Sequence, residues 1–380
     1  MKYFDNCATT VMDDSVVNEM SKAFQEDFFN PSSLYAASTN IKVKMNTSRK
    51  SIADALMCSS DEIIFTGSGT ESNNLAIFGS LKKKSGRIIS SLAEHPSIYN
   101  CMLQLKSRGY DVVFAALNKN GSVDVDRFLE VLTKDTLLVA LSHVNNETGA
   151  ITDIKRICAL VKENNKNCRF ICDGMQALGK ISINVVDLDV DIYTISAHKI
   201  HGPKGIGGMY LKKNTSLNAI MFGGEQENKL RPGTENVPAI YAFGHATRLA
   251  IEQLDVNTSN YHRFRNIITD ILNNTVKDFF LISKEGYAPP IISLAFSGIK
   301  SQIIMHMLED EGIYVGNGSA CSSKSIFSRV SQAIGIQSAY IEGIIRICFC
   351  KYNSEHDVVE LANKLAEKVN SLREIIGGKP

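Results

Sequence analysis

Short apolar runs alternate with longer amphipathic ones along the first two-thirds of the chain. Ile63-Ile64-Phe65-Thr66, Arg87-Ile88-Ile89-Ser90, Val112-Val113-Phe114, Leu137 to Leu141, Arg169 to Cys172 and Val190 to Ile195 are brief, apolar and partly β-branched, with turn residues at their ends. That combination predicts buried strands. Between them, apolar residues at helical spacing predict helices from about Ser15 to Phe24, Thr39 to Met57, Asp153 to Lys162 and Ala239 to Leu254, with further helix starts after Gly69 and at Pro96. Strand and helix in turn predict an α/β fold with a mainly parallel sheet. The last third changes rhythm: strand Ile291 to Phe296, helix Ser301 to Glu311, strand Ile313 to Val315, strand Ile344 to Phe349 and helix Ser354 to Ile375 read as a second, smaller unit. The run from Ala239 to Leu254 reads as the link towards it.

With 380 residues, 44% of them hydrophobic, the chain has enough apolar surface for a large core. Its 41 basic and 40 acidic residues leave a net charge of +1, which gives no bulk attraction for nucleic acid or an anionic membrane. No apolar run approaches membrane-spanning length, and Met1-Lys2-Tyr3-Phe4-Asp5 has no leader-like core, so a cytoplasmic protein is expected. The nine cysteines are scattered and lack C-x-x-C pairs, which points away from a disulfide framework or a zinc site.

Chemistry gathers where the strands end. Thr70 follows the first of these strands, in Gly67-Ser68-Gly69-Thr70-Glu71, where small residues open a helix whose free N–H groups suit an anion. His95 follows the second, Asn146 the fourth, and Asp173 the fifth. After Val190 to Ile195 comes Ser196-Ala197-His198-Lys199-Ile200-His201-Gly202-Pro203-Lys204-Gly205, a lysine between a strand and a glycine-rich loop. A half-buried amine there loses the hydration that favours its charged form and becomes nucleophilic near neutral pH. In a parallel sheet all these groups meet in the crevice beyond the carboxyl ends of the strands. Further on, Cys321 stands in Gly316-Asn317-Gly318-Ser319-Ala320-Cys321-Ser322-Ser323, an accessible place for a residue type that prefers burial. Arg346 is a single cation in an apolar strand, which calls for a carboxylate partner.

An imine-forming lysine, a carboxylate for a ring nitrogen, an anion-binding helix start and a stacking histidine together suit pyridoxal phosphate. The ordered motifs D-N-C-A-T-T, N-P-S-S, G-T-E-S-N-N, A-E-H-P, V-N-N-E-T-G, D-G-M-Q, S-A-H-K-I-H-G-P-K-G, R-P-G-T-E-N and G-S-A-C-S-S resemble those of group I cysteine desulfurases of the NifS/IscS type, within the fold-type I aminotransferase superfamily. The resemblance implies a large cofactor-binding domain over 15–255 with a mainly parallel seven-stranded sheet, and a small α+β domain made of 1–14 and 256–380. It implies that Lys199 forms the imine with the cofactor, Asp173 pairs with the ring nitrogen, Gln176 bonds the ring hydroxyl, and His95 stacks on the ring and moves protons. Gly69, Thr70, Ser196 and His198 would hold the phosphate, with Thr234 reaching in from the second subunit of a homodimer. Asn146 and Arg346 would orient L-cysteine, and Cys321 would accept its sulfur as a persulfide.

The implied partner is a sulfur-acceptor protein, an iron–sulfur scaffold or a tRNA-thiolation enzyme. No metal of its own is implied, although Cys321 would be placed to ligate a cluster iron transiently. Longer relatives continue past the position of Pro380 into a segment that docks a scaffold. Gly174 stands where the family usually has Ala, Asn317 where it has a small hydroxyl residue, and Phe29 where Gly is common. Two other readings use the same residues: a selenocysteine lyase or aminotransferase on this site, and a non-catalytic sulfur-relay subunit that has kept the fold.

Overall fold

The apolar runs sort into two sheets. The computed structural model describes residues 1–83, 85–284, 286–318 and 328–377. Its strands are β1 (Lys2–Phe4), β2 (Ile63–Thr66), β3 (Arg87–Ser91), β4 (Asp111–Ala115), β5 (Thr136–Ser142), β6 (Arg169–Asp173), β7 (Ile192–Ser196), β8 (Gly207–Leu211), β9 (Phe279–Leu281), β10 (Ile291–Phe296), β11 (Ile313–Asn317) and β12 (Ile344–Cys348). Seven of them form one sheet in the order β2-β8-β7-β6-β5-β3-β4, and five form the other in the order β1-β11-β12-β10-β9.

The large sheet is covered on both faces, which is why its strands carry nearly unbroken apolar sequence. Alternate residues serve alternate faces. Leu138 and Ala140 of β5 join Ile64, Ile171 and Ile192 under Leu75 and Ile77 of helix Gly69–Ser80 and Ile98, Met102 and Leu105 of helix Pro96–Ser107. Val139 and Leu141 point the other way, with Phe65, Phe170 and Ile195, against helices Ala36–Leu56, Ile154–Asn164 and Val237–Glu252. From β4 to β7 every pairing is parallel. Strand β8 pairs antiparallel with both β7 and β2, so β2 runs parallel to β7 and ends on the same edge.

The small sheet packs one face, through Phe4, Ile292, Leu294, Ile345 and Ile347, on helices Leu254–Thr275 and Glu355–Ile375. The C-terminal helix opens on Ser354, whose side chain and that of Asp357 cap each other's backbone N–H groups. Strand β1 adds in parallel to β11, and Asp5 bridges to Cys348. From there residues 5–13 cross to the large sheet, where Thr10 N–H donates to His198 O at 3.0 Å and Asp13 N–H to His201 O at 3.0 Å.

Several elements depart from the sequence expectation. Residues Gly207 to Leu211, which begin with what reads as a glycine loop, form β8; a Cβ at Gly207 would fall 2.6 Å from the backbone of Ser68, so only glycine lets this strand pass the start of helix Gly69–Ser80. The run from Ala239 continues past Leu254 as a second helix over Leu254–Thr275, and the short strands β1 and β9 carry too few residues to show a period.

Gly174 has a tertiary explanation. An added Cβ would lie 1.9 Å from Tyr193 Cε1, in a ring that is wholly buried and whose hydroxyl lies 2.8 Å from His143 Nδ1. Tyr193 therefore occupies the space a methyl would need. Gly174→Ala is expected to cost about 2 kcal/mol by overpacking, and Tyr193→Ala about 3 kcal/mol or more by leaving a cavity. In denaturant unfolding the double variant should lose less than the sum of the two by about 1 kcal/mol or more; strictly additive losses would show that the two positions do not compete for space.

Candidate active site

One cavity of about 280 Å³ lies at the edge where β2, β3, β5, β6 and β7 end. Gly69, Thr70, His95, Asn146, Asp173, Gln176, His198, Lys199 and Arg346 all line it, so the strand-end groups picked out in the sequence do converge. Cys7, Ala8, Ser142, Val144 and Met175 complete the wall.

Lys199 sits in a single helical turn, Ala197–Lys199, directly after β7. Its Nζ donates to the carbonyl oxygens of Cys7 at 2.5 Å and Ala8 at 2.8 Å, both from the segment that crosses between the sheets. Burial brings this amine down to about 8, and the Lys180 and Arg346 cations push the same way. The free-amine fraction near neutral pH is thus far larger than for a solvated lysine.

Asp173 closes β6 and is held from two sides: Oδ1 accepts from Met175 N–H at 3.0 Å, and Oδ2 from Asn73 Nδ2 at 2.9 Å. Asn73 also donates to Ser97 Oγ at 2.8 Å and accepts from Thr194 Oγ1 at 2.8 Å. Ser97 in turn meets His95, its backbone N–H donating to Nδ1 at 3.1 Å with Oγ 2.8 Å from the same atom. A backbone N–H can only donate, so Nδ1 is an acceptor and the proton of neutral His95 is on Nε2. Burial lowers the His95 pKa, and Lys199 and Arg329 add to this against the pull of Asp173.

Arg346, 2% exposed, donates from Nη1 to Asn146 O at 2.8 Å and from Nη2 to Asp5 Oδ1 at 2.6 Å. Its Nε is buried with no partner among the described residues. At the other end of the cavity, Gly69 and Thr70 open a twelve-residue helix capped by Ser68, whose side chain accepts from Glu71 N–H. Beside them His198 has Nδ1 3.1 Å from Thr9 Oγ1; burial, with Lys199 and Lys204, brings its pKa down to about 4, so the ring is neutral.

The remaining sequence-predicted residues stand elsewhere. Ser196 is buried at the end of β7 but is not part of the lining, and Thr234 is exposed on the loop after Arg231. Cys321 lies outside the described residues. On its C-terminal side, Ser328 Oγ donates to Glu147 Oε2, and Arg329 donates to Glu94 O at 2.9 Å while its guanidinium lies 3.7 Å over the Tyr99 ring.

Several contributors escaped the sequence reading. Cys7 and Ala8 act through backbone carbonyls, which no side-chain pattern reveals. Asn73, wholly buried in a helix interior, left the one usable signal: a polar residue at a core position of an otherwise apolar helical run.

Glu94, 2% exposed, accepts from Ser91 Oγ at 2.7 Å and from Ser142 Oγ at 2.5 Å. Burial outweighs these bonds and pushes its carboxyl from 4.5 up to about 7. A raised carboxyl stabilises the fold below its unfolded value and loses that contribution as pH rises through the folded one. Relative to Glu94→Gln, the wild type should therefore lose on the order of 2–3 kcal/mol of unfolding free energy between pH 4.5 and 8. Urea denaturation of both proteins across that range checks this, and parallel pH profiles would contradict it.

Comparison with known proteins agrees with this fold. The family model described as aminotransferase class-V matches residues 2–361. The chain is 35% identical over 378 residues to the cysteine desulfurase IscS of Dictyoglomus turgidum, covering 98% of this chain and 95% of that one. It is also 35% identical to the putative cysteine desulfurase IscS 1 of Bacillus subtilis, covering 97% of this chain and 99% of the relative. Among solved structures, a NifS-like protein superposes with a TM-score of 0.92 at 32% identity over 97% of this chain and 99% of its own. The NifS-like protein of Rickettsia africae gives 0.87 at 29% identity over 98% and 99%. The seven-stranded, mainly parallel sheet that carries this cavity thus has full-length counterparts, and the chain belongs to the aminotransferase class-V family, among its cysteine desulfurases of the IscS/NifS type.

Proposed function

We propose that this protein uses pyridoxal phosphate to convert L-cysteine to L-alanine and passes the sulfur, as a persulfide on Cys321, to an acceptor protein. The observation that carries this reading is the meeting of the Lys199 amine, the Asp173 carboxylate and the Arg346 guanidinium in one cavity with the start of helix Gly69–Ser80. The donor set fits the cofactor: helix N–H groups and a neutral imidazole suit a phosphate, and a carboxylate held by two donors suits a ring N–H. Among the described residues Arg346 Nε has no partner, so a donor remains for a carboxylate.

When bound, the cofactor supplies an electron sink for the charge left on the substrate's α-carbon. The chain does the rest. Arg346 and Asn146 orient the carboxylate of L-cysteine, and Gln176 and Asp173 fix the ring. Lys199 Nζ, uncharged in a useful fraction near pH 8, takes the α-proton. His95, with its proton on Nε2, gives a proton where one is needed and takes one back. The Cys321 thiolate attacks the substrate sulfur, the carbon–sulfur bond breaks, and protonation at carbon yields alanine: L-cysteine and one thiol become L-alanine and one persulfide.

A homodimer in which Thr234 reaches the partner's site accords with the exposure of Thr234 and of Phe222, 88% exposed on the preceding stretch. The persulfide's recipient is an iron–sulfur scaffold or a tRNA-thiolation enzyme. Among the described residues no helix is long and apolar enough to cross a membrane, in keeping with action on a soluble amino acid in the cytoplasm.

With a reductant present, the wild type should release alanine and sulfide from L-cysteine in equal amounts. Cys321→Ala should keep the visible absorbance of the bound cofactor and lose both products by a factor of about 10² or more, and Lys199→Ala should lose the absorbance as well. Undiminished turnover in either variant would overturn the assignment.

A further inference from the structure

Behind Lys199 lies a second, smaller cavity of about 40 Å³, bordered by both Lys199 and Lys180. Lys180 is 7% exposed, and among the described residues its ammonium meets no carboxylate; its hydrogen bond is to Gln176 Oε1. A lysine so deeply buried ordinarily needs an anionic partner. Its surroundings explain what it is doing there. An ammonium has only donors to offer, so it fixes the Gln176 amide with Oε1 towards itself and Nε2 away. That Nε2 donates at 2.9 Å to Cys7 O, the same carbonyl that accepts from Lys199 Nζ at 2.5 Å. Lys180, the Gln176 amide, the Cys7 carbonyl and Lys199 form one hydrogen-bonded chain.

We propose that Lys180 is a positioning residue of this site: from behind, its charge favours the free, nucleophilic form of the Lys199 amine, and its donors hold Gln176 with the amide N–H turned towards the cavity. This rests on the imine-forming role proposed for Lys199. Two like charges in a space with little water repel far more than they would in solvent, and the Lys199 amine, already desolvated, is lowered further by the neighbouring cation. Among charged neighbours Lys180 weighs most on Lys199, Arg346 acts in the same direction, and the Cys7 and Cys348 thiols act against it. The facing His95 and His198 are both held towards their neutral forms and contribute little charge of their own. In lysine-dependent imine chemistry a neighbouring cation is one of the few ways to obtain a free amine near neutral pH.

The test reads the amine itself. The full-length protein, stripped of cofactor, is treated with trace acetic anhydride across pH 6 to 10, and Lys199 acetylation is followed by mass spectrometry. The wild type should reach half its limiting rate at about pH 8. Lys180→Met and Lys180→Gln, both neutral, should acetylate Lys199 roughly three- to tenfold more slowly at pH 7, for a midpoint raised by half to one unit. Lys180→Arg, which keeps the charge, should stay within about twofold of the wild type. Acetylation of the exposed Lys50 and the near-ultraviolet circular dichroism report on folding in each variant. Wild-type labelling in a folded neutral variant, or equal slowing in the arginine variant, would overturn the proposal. Because neither cofactor nor cysteine takes part, failure of the desulfurase reading would leave this outcome untouched, and the reverse holds too.

Discussion

Three basic side chains, Lys180, Lys199 and Arg346, lie at or just behind one cavity, and among the described residues the carboxylates that answer them directly are few. Asp5 pairs with Arg346 at 2.6 Å, and Asp173 faces the cavity but is already held by Asn73 and the Met175 N–H. Glu94 and Glu147, the other acids near the site, are both pushed up to about 7 by burial and carry only part of a charge at neutral pH. Taking a charge out of water costs several kcal/mol unless it is paired. A site with this surplus of positive charge is at its most favourable with anions in it. The phosphate proposed for the helix start and the substrate carboxylate proposed for Arg346 would supply two. Together with burial, the same surplus depresses the amine proposed for imine chemistry, so the proposed binding and reactivity draw on one arrangement of charge.

That arrangement depends on topology. In the large sheet the reversed strand β8 is inserted between β2 and β7, and by reversing it lets β2 end on the same edge as the others. The helix start at Gly69 thereby arrives beside Lys199. The opposite wall comes from the small sheet. Arg346 lies in β12, and Cys7 and Ala8 belong to a segment tied to β12 by the Asn6 Nδ2 bond to Cys348 O at 2.8 Å. The same segment is tied to the large sheet by Thr10 and His198. Residues 5–10 thus join two hydrophobic cores at the point where the amine is held.

Much of this was legible in the sequence, for a definite reason. Lys199, Asp173, His95 and Thr70 each follow an apolar strand, and in parallel α/β sheets that position is itself a statement about where a side chain ends up. The large sheet's central strands were equally plain because they are buried on both faces. What could not be read is whatever depends on a distant neighbour. Gly207 looks like loop because its reason for being glycine, the backbone of Ser68, lies more than a hundred residues away. Gly174 looks like a deviation until Tyr193 is seen filling the missing methyl's place. Lys180, after a glycine and before an isoleucine, reads as an ordinary turn lysine; only its burial behind Lys199 marks it out.

The hydrogen bonds of Asn73 carry the synthesis one step further. Its amide reaches Asp173, Ser97 and Thr194 at once, and Ser97 reaches His95. The group proposed for the ring nitrogen and the group proposed to shuttle protons therefore belong to one buried network anchored in helix Gly69–Ser80, the helix whose start is the proposed phosphate position. A network in which every member has its partner holds its geometry far better than separate side chains would. One wall of the site is thus a single hydrogen-bonded unit built on the large sheet, carrying the proposed phosphate position, Asp173 and His95. The other wall, with Arg346 and the carbonyls of Cys7 and Ala8, is fixed to the small sheet. Lys199 is rooted in the first wall and hydrogen-bonded to the second, so releasing its amine for chemistry means breaking the bonds to those two carbonyls. An anion bound at Arg346 would offset part of that loss, because it would add to the charge with which Asp5 answers the guanidinium.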